Sequence, residues 1–164
     1  MIFKIKRHNT DLYITLLNLS RNIFFYKNLL LKDTFETRVY LMFFHFSIIL
    51  NIFKKRKIKF SQNNYDNLFF SIENDLRELG FGDVSVNKKM KELNKILYDI
   101  LLKIGNLDKD SKINKNIVFK YFNELKNEND SNFLEFERYF VKFHHFCFDI
   151  DPKIMIKEAL NFKG

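Results

Sequence analysis

Tryptophan is absent from this chain, and cysteine and proline each occur once. With Cys147 alone, no internal disulfide can staple the fold, and a reducing compartment fits. One proline and four glycines leave few places where a helix must stop, so long uninterrupted helices are expected. No C-x-x-C, H-E-x-x-H or D-D-x-x-D spacing occurs, which removes the common zinc motifs and the acidic cation ligands of helical isoprenoid enzymes. A membrane-spanning run is missing too. Val39–Phe53 is nearly apolar, yet it is interrupted by His45, Ser47 and Asn51 and falls short of the roughly 20 residues that a spanning helix needs. It reads as the central buried helix of a bundle, with Arg38 and Lys54 at its ends. Residues 1–20 do not read as a secretory leader, because Thr10, Asp11, Thr15 and Asn18 break the apolar stretch. A cytoplasmic protein is expected.

What is present is hydrophobic and basic. A length of 164 residues, 46% of them hydrophobic and 21 of them Phe, suits one domain with a real core and excludes a disordered chain. The net charge of +8 suggests an acidic partner: nucleic acid, an anionic membrane surface or the ribosome. Most of the basic residues are spread widely; Lys54, Lys55, Arg56, Lys57 and Lys59 are a true cluster. Five such charges at about 1 kcal/mol each can bias where a protein sits but cannot anchor it.

Apolar spacing predicts an all-α bundle of about seven helices spanning residues 1–164 as one domain, with no significant sheet. Leu12, Leu16, Leu19 and Ile23 form a first stripe, and Asn22–Leu30 a short second helix. Asp33-Thr34-Phe35-Glu36 reads as a capping box, with Asp33 as cap, opening a helix that runs to about Lys55. Tyr65, Leu68, Phe69, Ile72, Leu76 and Leu79 share one face of the next helix. The cleanest stripe follows: Val86, Met90, Leu93, Leu97, Ile100, Leu101 and Ile104. Asn106–Lys112 reads as a polar connection, Ile113–Leu125 as a helix and Asn127–Asn132 as a loop. Phe133, Phe136, Phe140, Phe143 and Cys147 stripe another helix, and Asp151-Pro152 reads as a cap and first-turn proline of the last.

Chemistry-bearing clusters are few. His144, His145 and Cys147 could in principle hold a metal, but adjacent helical histidines diverge by about 100°. Cys147 lies on an aromatic face, where a thiol is inert. His45 sits among Phe43, Phe44 and Phe46 and reads as a buried histidine bonded to a neighbour. Gly80-Phe81-Gly82 is not a phosphate loop, since no strand precedes it and Asp83 would repel a phosphate at the helix start. It is a corner: Gly80 suits the left-handed position after a helix, and Asp83 and Ser85 offer oxygens to cap the next. Arg77, Glu78, Asp83, Lys88 and Lys89 crowd around it.

That corner resembles a family signature. Glu73, Leu76-Arg77-Glu78, Leu79, Gly80-Phe81-Gly82-Asp83, Val86, and the basic Lys88, Lys89 and Lys91 are similar to the pattern of the ubiquinol–cytochrome c chaperone family. Arg21, Phe25-Tyr26, Asp33-Thr34, Arg38, His45 and Tyr98 fall at similar spacings, so the resemblance covers about Leu12–Tyr98. It departs at Asn22, where proline is usual, and at Asp99-Ile100, where Gly-Arg often follows the tyrosine.

The resemblance implies an assembly chaperone that binds newly made cytochrome b and promotes assembly of ubiquinol–cytochrome c reductase, with no cofactor, metal or catalytic residue. Implied partners are the client, possible ribosome or small helical co-chaperone contacts, and the cytoplasmic face of the inner membrane; specific DNA is not among them. Arg77, Glu78, Phe81, Asp83, Lys88, Lys89 and Lys91 are then candidate partner-binding residues, and Lys54, Lys55, Arg56, Lys57 and Lys59 candidate membrane or ribosome contacts. Arg21, Tyr26, Asp33, Thr34, Arg38, His45, Gly80, Gly82, Val86 and Tyr98 are structural members of the motif. Phe81 and members of the Phe133–Phe148 set are expected to be exposed for apolar client contact. The residues alone leave another class open: a basic helical RNA- or ribosome-binding protein without a client.

Overall fold

A helix that is apolar on every side must be covered on every side. The structure, a computed structural model, describes residues 11–126 and 130–164 and meets that demand for Val39–Phe53. The elements are α1 (Asp11–Ser20), a π-helical turn (Phe24–Asn28), α2 (Phe35–Lys55), α3 (Gln62–Glu78) and α4 (Asp83–Lys103). Then come α5 (Leu107–Asp110), α6 (Lys115–Tyr121), a 3-10 turn (Asn123–Leu125), α7 (Ser131–Phe148) and α8 (Met155–Ala159). Among the described residues there is no strand, and the chain is an all-α bundle. Every residue from Leu41 to Ile49 in α2 is buried, and α2 packs against α1, α4 and α7. No helix among the described residues is long and apolar enough to cross a membrane. The leader reading at residues 1–10 and the loop expected at residues 127–129 lie outside the described residues.

The core is a lattice of rings. Phe136, Phe140 and Phe143 of α7 are buried against α2, with Phe140 centred 5.7 Å from Phe44 and 4.8 Å from His45. Phe25 of the π-helical turn closes over the same rings, 6.0 Å from Phe140. Tilted and stacked ring pairs of this kind add to plain burial. The Phe133–Phe148 set is therefore core and not client surface: Phe133, Phe136, Phe140 and Phe143 are buried, and Phe146 and Phe148 are half-buried. The stripe of α7 is consumed by α2, which has apolar side chains on the face it turns towards α7.

His45 is fully buried and doubly bonded, as its setting among phenylalanines implied. Its Nδ1 lies 2.7 Å from the Leu41 carbonyl, which can only accept, so Nδ1 carries the proton. Nε2 must then accept from the Tyr139 hydroxyl at 2.8 Å. Burial pushes His45 down to about 3, which keeps the ring neutral.

Several helix boundaries differ from the sequence reading, each for a local reason. Thr34, not Asp33, caps α2: its hydroxyl accepts from the Thr37 N–H at 3.2 Å, while Asp33 is drawn to Arg38. Gly82 opens α4 without a side-chain cap, and Asp83, inside the first turn, pairs with Arg77 instead. The polar stretch Asn106–Lys112 contains α5, pinned by buried Leu107. The helix expected over Ile113–Leu125 breaks at Phe122, whose buried ring and non-helical backbone separate α6 from the 3-10 turn. Ser131 and Asn132 belong to α7, capped by Asp130. Asp151 accepts from the Lys153 N–H at 2.9 Å and forms a turn, so the last helix starts only at Met155.

Candidate functional site

The corner after α3 is built by hydrogen bonds that only a left-handed residue permits. Gly80 has φ +98°; its N–H donates to Arg77 O at 3.0 Å, and the Phe81 N–H donates to Leu76 O at 3.3 Å. This helix stop folds Phe81 back over Leu76. Outside the corner, Arg77 is held by Asp83 and by Glu73, the latter at 3.6 Å. Lys89 lies 4.7 Å from the centre of the Phe81 ring, a cation–π distance.

Two open cavities meet at this corner. One, of about 310 Å³, lies among Tyr40 and Glu36 of α2, Leu76 and Phe81 at the corner, and Lys89 and Glu92 of α4. The other, of about 460 Å³, lies among Leu17 and Arg21 of α1, Asp33 and Arg38 at the start of α2, and Asp75 and Glu78 of α3. Phe35 and Leu79 line both, so the two cavities adjoin as a groove beside the start of α2 and the end of α3, flanked by α1 and α4. Leu79, expected in the core, is 59% exposed here because the helix ends under it before α2 can cover it.

Within the groove the polar groups are fixed. Arg38 places Nε 2.8 Å and Nη2 2.6 Å from Asp33 Oδ1. The Tyr13 hydroxyl donates to Asp75 at 2.7 Å, and burial raises Asp75 above the usual carboxylate range while also raising the Tyr13 phenol. Tyr26 lies outside the groove and ties the π-helical turn to α1, donating to Ser20 O at 2.6 Å. Five carboxylates line the groove (Asp33, Glu36, Asp75, Glu78, Glu92) against three cations (Arg21, Arg38, Lys89). In a chain of net charge +8, this groove leans acidic.

The sequence-derived candidates thus separate. Glu78, Phe81 and Lys89 reach the groove, and so do Arg21, Asp33, Thr34 and Arg38, read from sequence as structural. Arg77 and Asp83 brace the corner from outside; Lys88 and Lys91 are exposed but do not line the groove, and Tyr98 is exposed on α4. Val86 is buried. Phe35, Glu36, Leu79 and Glu92 line the groove and were not among the candidate contact residues. Phe35 and Glu36 read from sequence as part of a capping box and Leu79 as part of a stripe and of the family pattern, and no local signal says which neighbours end beside them.

The basic cluster lies at the other end of α2, about 30 Å away at 1.5 Å per residue. It is less free than its composition suggests. Lys55 pairs with Asp108, and Arg56 donates to Ile150 O at 3.0 Å with its guanidinium 5.2 Å from the Phe148 ring centre. Lys54, Lys57 and Lys59 are exposed. Burial pushes the Cys147 thiol up to about 12. Among the described residues no group of three or more His, Cys, Asp or Glu could hold a metal ion.

The Ubiquinol-cytochrome C chaperone family matches residues 27–123 of the chain, from the π-helical turn through α6. Arg21 lies just before the matched residues and Asp33 to Glu92 within them. No curated protein and no solved structure matches the chain. With more than half of its length covered, and the corner and most of the groove inside the match, the chain belongs to the ubiquinol–cytochrome c chaperone family.

Proposed function

We propose that this protein is an assembly chaperone for ubiquinol–cytochrome c reductase that holds a segment of newly made cytochrome b in the groove at the α3–α4 corner. The observation that carries the reading is the convergence of Arg21, Asp33, Arg38 and Glu78, up to 57 residues apart in sequence, on one open groove floored by Phe35 and Leu79. Apolar floor and charged rim suit a chain segment with one hydrophobic face. The Arg38–Asp33 pair holds two rim side chains together before the client arrives, which lowers part of the ordering cost of binding. The protein acts by binding, without bond chemistry, and works on the cytoplasmic face of the inner membrane, where its client inserts.

Deletion of the gene tests the role: assembled cytochrome b is lost while other respiratory complexes persist. Capture of newly made cytochrome b from detergent extracts tests the site. Charge reversal by Glu78→Lys with Glu92→Lys is expected to abolish capture, and reversal of Lys88 and Lys91, outside the groove, to spare it. Equal capture by all folded variants overturns the groove as the client site.

A further inference from the structure

The end of the bundle opposite the client groove carries its own cavity. α2 and α4 run side by side in one direction, so both end here, and about 740 Å³ of space lies between the last turns of α2 and α4 and the turn that follows α2. Its mouth is apolar and uncovered: Leu102 is 77% and Ile58 is 42% exposed. Lys54 lines the cavity, and Lys57 and Lys59 flank Ile58 on either side in the same exposed turn.

Cations at a helix end complement the macrodipole, and that alone explains Lys54 and Lys55. It does not explain aliphatic side chains held in water between the lysines. Nucleic acid does not explain them either, because phosphates need only the cations and base stacking needs free rings. Phe60, the ring nearest the mouth, is already packed 5.3 Å from Phe46 and 5.1 Å from Phe53. A surface that is negative outside and hydrocarbon beneath satisfies both groups at once.

We infer that this end of the bundle docks on an anionic lipid bilayer, with Lys54, Lys57 and Lys59 among the headgroups and Ile58 and Leu102 dipping into the acyl boundary. The inference rests on the membrane-surface part of the proposed function and is independent of the client. It also sets an orientation: α2 and α4 stand on the bilayer, and the client groove is held about 30 Å above it, facing segments outside the membrane.

The test uses the full chain and vesicles of phosphatidylcholine with or without phosphatidylglycerol. Sedimentation is expected with the anionic vesicles only. Reversal of the lysines (Lys54→Glu, Lys57→Glu, Lys59→Glu) is expected to weaken it by about a hundredfold. Ile58→Ser with Leu102→Ser is expected to weaken it by roughly tenfold. Both sets keep cytochrome b capture from detergent extracts, which separates a failure here from a failure of the client site. A thiol-reactive polarity-sensitive dye reports insertion directly, because Cys147 is buried and a new cysteine labels alone. The dye at Leu102→Cys shifts to the blue on anionic vesicles, and at Val84→Cys, in the exposed first turn of α4, it does not. Equal binding to neutral vesicles, full binding by the serine variant, an unshifted Leu102 probe, or tighter capture of single-stranded RNA than of vesicles overturns the inference.

Discussion

Tyr139 donates its hydroxyl proton to His45 Nε2 at 2.8 Å, across 94 residues of sequence, in the middle of the phenylalanine core. The bond joins α7 to α2 through two polar rings that are both buried. Leu41 O satisfies the other nitrogen, so the neutral imidazole is fully paired and protonation would force a bond to break.

That arrangement predicts an acid-sensitive fold. His45 is held down to about 3 by burial, against about 6.5 in the unfolded chain. Its contribution is present above pH 6.5 and is lost as pH falls towards 3, because the unfolded chain takes up a proton that the folded chain refuses. Between neutral pH and about pH 4.5 the loss from this group is about 2–3 kcal/mol. Urea unfolding of wild type and His45→Gln at both values checks it; the variant starts lower and shows a shallower slope.

Two helix ends place contrasting residues at the same left-handed position. Lys57 has φ +57° and Gly80 has φ +98°. The Lys57 N–H donates to Lys54 O at 3.0 Å and the Ile58 N–H to Phe53 O at 2.9 Å, the pattern seen at Gly80. Lys57→Gly is expected to raise stability by about 1 kcal/mol and Gly80→Ala to lower it by about 1 kcal/mol. No atom lies within 4 Å of a Cβ built on Gly80, so the cost there is purely conformational. Thermal unfolding of the two variants should shift in opposite directions.

Phe140 is fully buried among aromatic rings, touching Phe25, Phe44, His45, Phe136 and Tyr139. Phe140→Ala is expected to cost about 3–5 kcal/mol, measured by denaturant midpoint at constant slope. Phe140→Leu, which keeps most of the volume, should recover part of that loss.

Leu79 is the groove's most exposed apolar side chain, and its loss should be felt by the client and not by the fold. Leu79→Asp is expected to change stability by less than about 1 kcal/mol. It should cut capture of newly made cytochrome b about tenfold or more. A variant that unfolds, or that captures client normally, speaks against Leu79 as floor of the site.

The corner was legible because its signals are local. A glycine after a helical stripe, charges beside it and a new stripe beyond need only neighbouring residues to be read. The groove was not. Arg21, Asp33 and Arg38 could be recognised as motif residues, but their meeting with Glu78 and Leu79 depends on how α1 and α3 lie against α2. The cap of α2 shows the same limit on a smaller scale. Asp33 and Thr34 are both good caps by type, and the choice fell to Thr34 because Arg38 engages Asp33.

The sequence by itself determined that the chain is helical, that the middle of α2 is buried on all sides, and that Cys147 and His45 lie inside. These follow from spacing and from the solvation cost of apolar surface, which act within one helix. Tertiary packing decided that the phenylalanines of α7 are spent in the core, that the groove beside the α3–α4 corner leans acidic in a basic protein, and that the lysines flank an uncovered apolar mouth. A helix's period fixes which residues share a face; only the packing of one helix on another fixes what that face meets.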